Sequence, residues 1–314
     1  MNPKQAGLSR PSLFGLARFA LVISLCYIVA GTLTFAVPVA YAATPTLDCA
    51  SPSTCVASAA VATGCDGGGN HCKLSVSGTL STSATDTQPM VIAIVGVSSS
   101  TITIGAPTVG GTTMSSLCAT SGLSPDIAVF YYQSSTTLSS TTITSSESAS
   151  GSGISSTDNA SLVAFAIQEQ LTSGTVTDGT CFASSSTTAS TSQSVTVSGL
   201  TYSNDFIFGS VVSLAPPLTT VSGTQAANTD TQVTGIGGAV AYNLGSGSSS
   251  SSVSFSTPRS GTWVAAGAAI KDASGTPIPL FPEGVLPVLL VVPVLYIIFG
   301  RRRFNTSRSE GRER

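Results

Sequence analysis

The chain has 314 residues, of which 42% are hydrophobic and only 8% are charged. That charge content lies far below the quarter usual in soluble domains, yet the apolar residues fall in compact runs between Ser/Thr/Gly stretches, which excludes a solvated disordered polymer. The net charge of −2 hides a segregation: residues 43–279 hold eleven acidic side chains against three basic ones, Lys73, Arg259 and Lys271, and the other bases sit at the two ends. An acidic centre is repelled by phosphate backbones, so nucleic acid is not an expected partner.

Residues 1–42 are predicted to be an export signal. A basic stretch with Lys4, Arg10 and Arg18 precedes the apolar run 19–39, and Ala40-Tyr41-Ala42 is the small-x-small pattern that signal peptidase accepts, placing cleavage between Ala42 and Ala43. The alternative is an uncleaved anchor, because the run is long enough to span a bilayer; Gly31, Thr32, Thr34 and Pro38 weaken that reading. Cys26 is a passenger in this run.

Six further cysteines follow, Cys49, Cys55, Cys65, Cys72, Cys118 and Cys181. An even number in an exported chain implies disulfides. Neighbour pairing Cys49 with Cys55 and Cys65 with Cys72 closes short Ser- or Gly-rich loops, which leaves Cys118 for Cys181. Residues 43–73 are expected to be a stapled loop segment without a core of its own. The rival is a metal site using His71 and Asp66 beside Cys72 and Cys65, but the spacing lacks a tight Cys-x2-Cys pair. No calcium loop is legible around Asp66, and no cofactor is expected.

From residue 74 the chain reads as short strands. "LSVSGTL" alternates apolar and polar residues as a half-buried strand does, and "MVIAIVGV" (90–97) is apolar on both faces. "TITI" (101–104), "IAVFYYQ" (127–133), "SLVAFAIQEQL" (161–171), "QSVTVSGL" (193–200), "DFIFGSVVSL" (205–214), "GGAVAYNL" (237–244), "SVSFS" (252–256) and "TWVAAGAAIK" (262–271) follow, separated by turn residues. The spacing predicts an all-β, antiparallel sandwich over 74–273. Strand character over this region, with the Gly110-Gly111 turn and the aromatic strand ending in Tyr131-Tyr132, resembles the jelly-roll sandwiches of secreted and envelope proteins. That resemblance implies a fold and no particular activity.

Chemistry is sparse. There is no Gly-x-Ser-x-Gly elbow, and His71 is the sole histidine. Glu147, Asp158 and Glu169 are the nearest candidates for paired carboxylates, and solvated surface acids are the simpler reading. The Gly-rich 235–238 stretch is a turn or tight sheet packing. Trp263 is expected in the core. The Ser/Thr tracts are exposed strands or long loops and O-glycan acceptors, and Asn159-Ala160-Ser161 is an N-glycosylation sequon. Asn305-Thr306-Ser307 lies beyond the apolar segment and is expected to stay bare.

After a linker at 274–283, residues 284–300 carry no charge and span about 25 Å as a helix, slightly short of a bilayer core. Arg301, Arg302 and Arg303 then stop transfer and hold the 301–314 tail in the cytoplasm. Signal, acidic ectodomain, apolar helix and arginines describe a type I single-pass membrane protein. The C-terminal order also resembles the tripartite sorting signals of exosortase and archaeosortase substrates, with Pro282-Glu283-Gly284 as the motif, residues 285–299 as the helix and Arg301 to Arg303 as the cluster. That resemblance implies cleavage near the motif by a transpeptidase and an archaeal or bacterial envelope; the Phe-Pro-Glu-Gly form and the eleven residues after the arginines depart from it.

The expected function is a membrane-tethered surface component, structural or adhesive, without catalytic activity and with envelope glycans or other surface proteins as partners. The alternative is a carbohydrate-binding module, which Tyr131, Tyr132 and Tyr202 on one sheet face would support. A glycan hydrolase ranks third.

Overall fold

The computed structural model describes residues 45–272 apart from 50–54, 70, 86–87, 121, 150–152, 169, 171–174, 203, 230–234 and 246. The expected signal with Ala42 and Ala43, the linker, the apolar helix, the arginines and the Pro282-Glu283-Gly284 motif lie outside the described residues, as does Glu169. Among the described residues every regular element is a strand, every named pairing is antiparallel, and no helix is long and apolar enough to cross a membrane.

The strands are β1 (Thr46–Leu47), β2 (Val56–Val61), β3 (Leu74–Leu80), β4 (Met90–Val97), β5 (Ile102–Thr103), β6 (Thr108–Val109), β7 (Thr112–Thr113), β8 (Ser115–Ala119), β9 (Asp126–Gln133), β10 (Thr141–Ala149) and β11 (Asn159–Gln168) in the first half. The second half contains β12 (Thr177–Ser198), β13 (Phe206–Ser213), β14 (Thr219–Ser222), β15 (Thr224–Asn228), β16 (Gly237–Leu244) and β17 (Ser250–Ile270). Segment 43–73, expected to be a loop, thus supplies two strands. β1 and β2 both pair with β11, where their backbone groups find hydrogen-bond partners and Val56 is buried, the rest of β2 being half-buried or exposed.

Two halves repeat one strand order. In the first, an inner sheet runs β2–β11–β4–β9 with β8 on its edge, and an outer sheet runs β3–β10–β6–β7. In the second, the inner path is β12–β17–β13–β16 with β15 on its edge. The outer layer there is made by the far halves of β12 and β17, with β14 alongside. Registers match residue for residue: Met90 opens β4 opposite Ile167, and Phe206 opens β13 opposite Ile270. Likewise β9 and β16 share Ala-Val-x-Tyr, ending at Tyr131 and Tyr242.

The long strands β12 and β17 replace what are separate strands in the first half. Their ladder breaks between Ser190, opposite Gly261, and Ser192, opposite Ser256, so that β17 has three extra residues at the bend. Beyond the break, Val195 and Val253 fold back over β13 so closely that a Cβ on Gly209 would stand 2.3 Å from Val253 Cγ2 and 2.8 Å from Val195 Cβ. The expected separate strands 252–256 and 262–271 are therefore one bent strand.

Three main apolar layers result. One lies between the sheets of the first half, around Leu74, Val95, Phe130 and Ile143. A second lies between the two inner sheets, where Ile92, Ile94, Phe165 and Ile167 meet Phe206, Phe208, Val240 and Ile270. A third lies under the folded-back hairpin, around Val195, Val211 and Phe255. Inner strands β4 and β13 are buried along their whole length, which is why their sequences show no polar alternation. In the middle layer, near the ends of β4 and β13, Gly96 meets Val212; a Cβ there would lie 2.5 Å from Val212 Cγ2. Turn chemistry is equally direct at β6–β7, where Gly110 and Gly111 have φ of 55° and 88°, as a two-residue type I′ hairpin requires.

Candidate functional site

All six cysteines of the described region are paired as Cys49–Cys55, Cys65–Cys72 and Cys118–Cys181. These are the neighbour pairs and the long-range pair expected from spacing. Cys118 lies on edge strand β8 and Cys181 on edge strand β12, so the third bond ties one half to the other. Cys72 also packs into the first core, which anchors the 65–72 staple. No group of three His, Cys, Asp or Glu side chains among the described residues is arranged to hold a metal.

The strongest electrostatic feature lies where β12, β13 and β17 begin or end together. Asp178, on the first turn of pairing in β12, accepts hydrogen bonds from Gly179 N–H at 3.0 Å, Tyr202 N–H at 3.0 Å, the Thr201 hydroxyl at 2.6 Å and Thr201 N–H. Burial, the largest single influence, pushes its carboxyl up, but these donors together hold it below the ordinary Asp range. Asp205, fully buried one residue before β13, has no well-aligned donor on either oxygen. Burial first, then the adjacent Asp178 carboxylate and the charge of Asp272, push it up to about 8; only the poorly aligned Asp272 backbone amide pulls the other way. The two neighbouring carboxyls are thus pushed in opposite directions, Asp205 up and Asp178 down. Nearby, Lys271 Nζ sits 5.1 Å from the centre of the Tyr202 ring.

Glu147 is not the solvated surface acid expected. It lies buried on β10, where Oε2 accepts from Gly105 N–H at 2.8 Å and Oε1 from the Ser145 hydroxyl at 2.6 Å. Burial raises its carboxyl above the ordinary Glu range despite these bonds. Asp158 is half-buried and accepts from Ser155 N–H at 2.8 Å. Its neighbours form a turn, and no second carboxylate is brought to it by any described contact.

Tyr131 and Tyr132 alternate on β9, so they point to opposite sides: Tyr131 packs in the inter-sheet layer and Tyr132 in the first core. They cannot share a face with each other, and Tyr202 is engaged by Lys271. Trp263 is half-buried against the third apolar layer, with its indole N–H unpartnered. Asn159 opens β11 half-buried, its side-chain amide donating to the Thr157 carbonyl at 2.9 Å, while Ser161 of the same sequon is buried. Gly237 and Gly238 lie inside β16, and a Cβ on Gly238 would meet Ser161 and Val163, so tight packing accounts for that stretch.

The Ser/Thr tracts form exposed strand faces. Hydroxyls meet across strands at Ser75–Ser146 (3.2 Å), Thr196–Ser252 (2.8 Å) and Ser194–Ser254 (3.4 Å). One concave site accompanies them in the first half: a half-open cleft of about 400 Å³ between the 100–106 segment and strands β8 and β9, with Asp126 among its lining residues. Asp126 Oδ1 accepts from Ile127 N–H at 2.9 Å and from the Thr120 hydroxyl. Sequence reasoning passed over both Asp126 and Asp205, because each sits in a turn signal just before a strand, where an acid is ordinary. The signal that separates them is that each precedes an apolar run with no room for a solvated side chain.

The chain matches no protein-family model, and neither curated proteins nor solved structures show significant similarity to it.

Proposed function

We propose that this protein is an exported, membrane-tethered surface component, structural or adhesive, whose ectodomain is two jelly-roll-type sandwiches stacked through their inner sheets. The strand order supports the fold: in an eight-strand jelly roll the first strand pairs with the last and the second with the penultimate, which is the relation of β2 to β11 and of β3 to β10. The observation that carries the location is the set of three disulfides, one of them joining the two halves, since such bonds persist in oxidising compartments. The basic-flanked apolar ends support tethering, by a retained helix or by transfer after cleavage near Pro282-Glu283-Gly284. Hydroxyl-covered outer faces with hardly any charge suit a packed, glycosylated coat, and the reading assigns no reaction. Glycan binding is the second reading, supported by the cleft at Asp126.

Protease treatment of intact cells tests the location. The ectodomain is expected to be cut or shed while a cytoplasmic control protein survives; an ectodomain that is protected until the cells are lysed contradicts the proposal. Mass analysis of the mature C-terminus separates the two tethers. A terminus near Pro282 means processing, and a recovered peptide containing Arg308 means a retained anchor.

A further inference from the structure

We infer that the cleft beside Asp126 is a binding site for a neutral saccharide unit. Its volume of about 400 Å³ falls within the range of small-molecule sites. The chemistry of its walls is specific. Ile102, Ile104 and Phe130 offer an apolar surface, Ser100, Thr103, Ser116 and Thr120 bring hydroxyls, and Asp126 is the one charged residue of the lining. With no Lys, Arg or His among the lining residues, an anion finds no counter-charge there. An ammonium ion only donates hydrogen bonds, and would leave the hydroxyl donors of the wall unanswered. A sugar both donates and accepts, so its hydroxyls can answer the Ser and Thr side chains and give protons to the carboxylate while its C–H face lies on the apolar wall.

Two further observations support a built site. The first is rigidity. Segment 100–106 is pinned from behind to β10: Gly105 N–H donates to buried Glu147, the Ser145 hydroxyl oxygen packs 3.2 Å from the Gly105 carbonyl oxygen, and a Cβ on Gly105 would stand 2.2 Å from the Ser146 carbonyl oxygen. A wall held this way costs little to organise on binding. The second comes from the other half. Asp126 pairs with Val97 at the end of β4, and its counterpart opposite Ser213 at the end of β13 is Gly237. There Pro216 and Leu218 occupy the space, lying 2.8 Å and 3.7 Å from where a Cβ of Gly237 would be. The same corner of the sandwich is plugged by apolar side chains in one half, and in the other it carries the largely buried Asp126 in the wall of the cleft.

The test uses the full chain in detergent and saturation-transfer NMR with the methyl glycosides of glucose, galactose, mannose and N-acetylglucosamine, and with butylammonium as the cationic probe. At least one glycoside is expected to show transfer. Ala119→Trp, at an exposed lining position, should abolish it by filling the cleft without touching the core, and Asp126→Asn should weaken binding about tenfold while keeping acceptors for Thr120 and Ile127. Retained disulfides and an unchanged melting temperature of the Ala119→Trp protein establish that it is folded. No transfer to any glycoside, transfer undiminished in folded Ala119→Trp, or transfer to butylammonium alone would each overturn the assignment. None of these outcomes depends on where the protein resides in the cell.

Discussion

The two halves solve the same end-of-sheet problem with different chemistry. In the first, Asp48 follows β1, whose Leu47 pairs with Ile167, and accepts Ser83 N–H at 3.1 Å. In the second, Asp178 occupies the matching place, next to Thr177 opposite Ile270, and accepts from the segment after its own second strand run. The halves part at the residue before the central strand. Before β4 stands Pro89, preceded by Gln88, whose carbonyl accepts from Gln133 and Gln170 side chains at 2.9 and 2.7 Å. Before β13 stands Asp205, facing Asp178. One backbone scaffold thus closes its end with Asp48 and side-chain amides in one copy and with two adjacent carboxyls, Asp178 and Asp205, in the other. The second closure ties stability to pH through Asp205.

The largest effect is expected from the bond between halves. Cys118→Ser with Cys181→Ser opens a link spanning 63 residues of sequence, and chain-entropy arguments put the loss at about 4 kcal/mol. Denaturant unfolding should show it, together with a first half that unfolds separately from the second. Asp178→Ala comes next, at about 2 kcal/mol, because it removes the acceptor of the part-buried hydrogen bonds from Gly179, Thr201 and Tyr202 N–H groups. A loss below ~1 kcal/mol would mean that water reaches this end of the sheet.

Gly96→Val tests the contact between the inner sheets and should cost about 2 kcal/mol by overpacking against Val212. Val212→Ala in the same chain should recover part of the loss, and strict additivity would argue against direct contact.

Asp205→Asn addresses the acid pair itself. In the wild type the unfolded carboxyl ionises near pH 3.8 and the folded one only near 8, so the folded state holds the extra proton between these values and stability falls as pH rises through that window. Asparagine is close in size and does not titrate. Thermal melts should therefore coincide at pH 4 and diverge toward pH 8 in favour of the variant; parallel curves would remove Asp205 as the titrating group. Trp263→Phe is the smallest change, within about 1 kcal/mol, since it removes an unpartnered buried indole N–H along with some packing area.

Much of this architecture was legible in the chain. The alternation in "LSVSGTL" and the unbroken apolar run of "MVIAIVGV" foretell a half-wet outer strand and a doubly covered inner one, and both are found as β3 and β4. Cysteine spacing foretold the pairs because short loops close easily. The duplication was hidden, because pairing order is a property of hydrogen bonds between distant segments, and the halves share only fragments such as Ala-Val-x-Tyr. Strand β12 was half hidden as well: residues 184–192 are Ser or Thr apart from Ala189, a composition shared by loops, and they are ordered by backbone pairing with β17. Burial decided the acids. Glu147, Asp126 and Asp205 look like surface residues in sequence and differ only in what packs over them.

The account stands most directly on the bond between Cys118 and Cys181, which joins its structural claim of two stacked halves to its claim of an exported chain. Cells lysed in the presence of an alkylating agent, followed by non-reducing peptide mapping, read it in the protein as the cell made it. The account predicts a cross-linked peptide containing both residues and no alkylated form of either. Alkylated Cys118 and Cys181 in the mature protein, or either one bonded to Cys49, Cys55, Cys65 or Cys72, would contradict it.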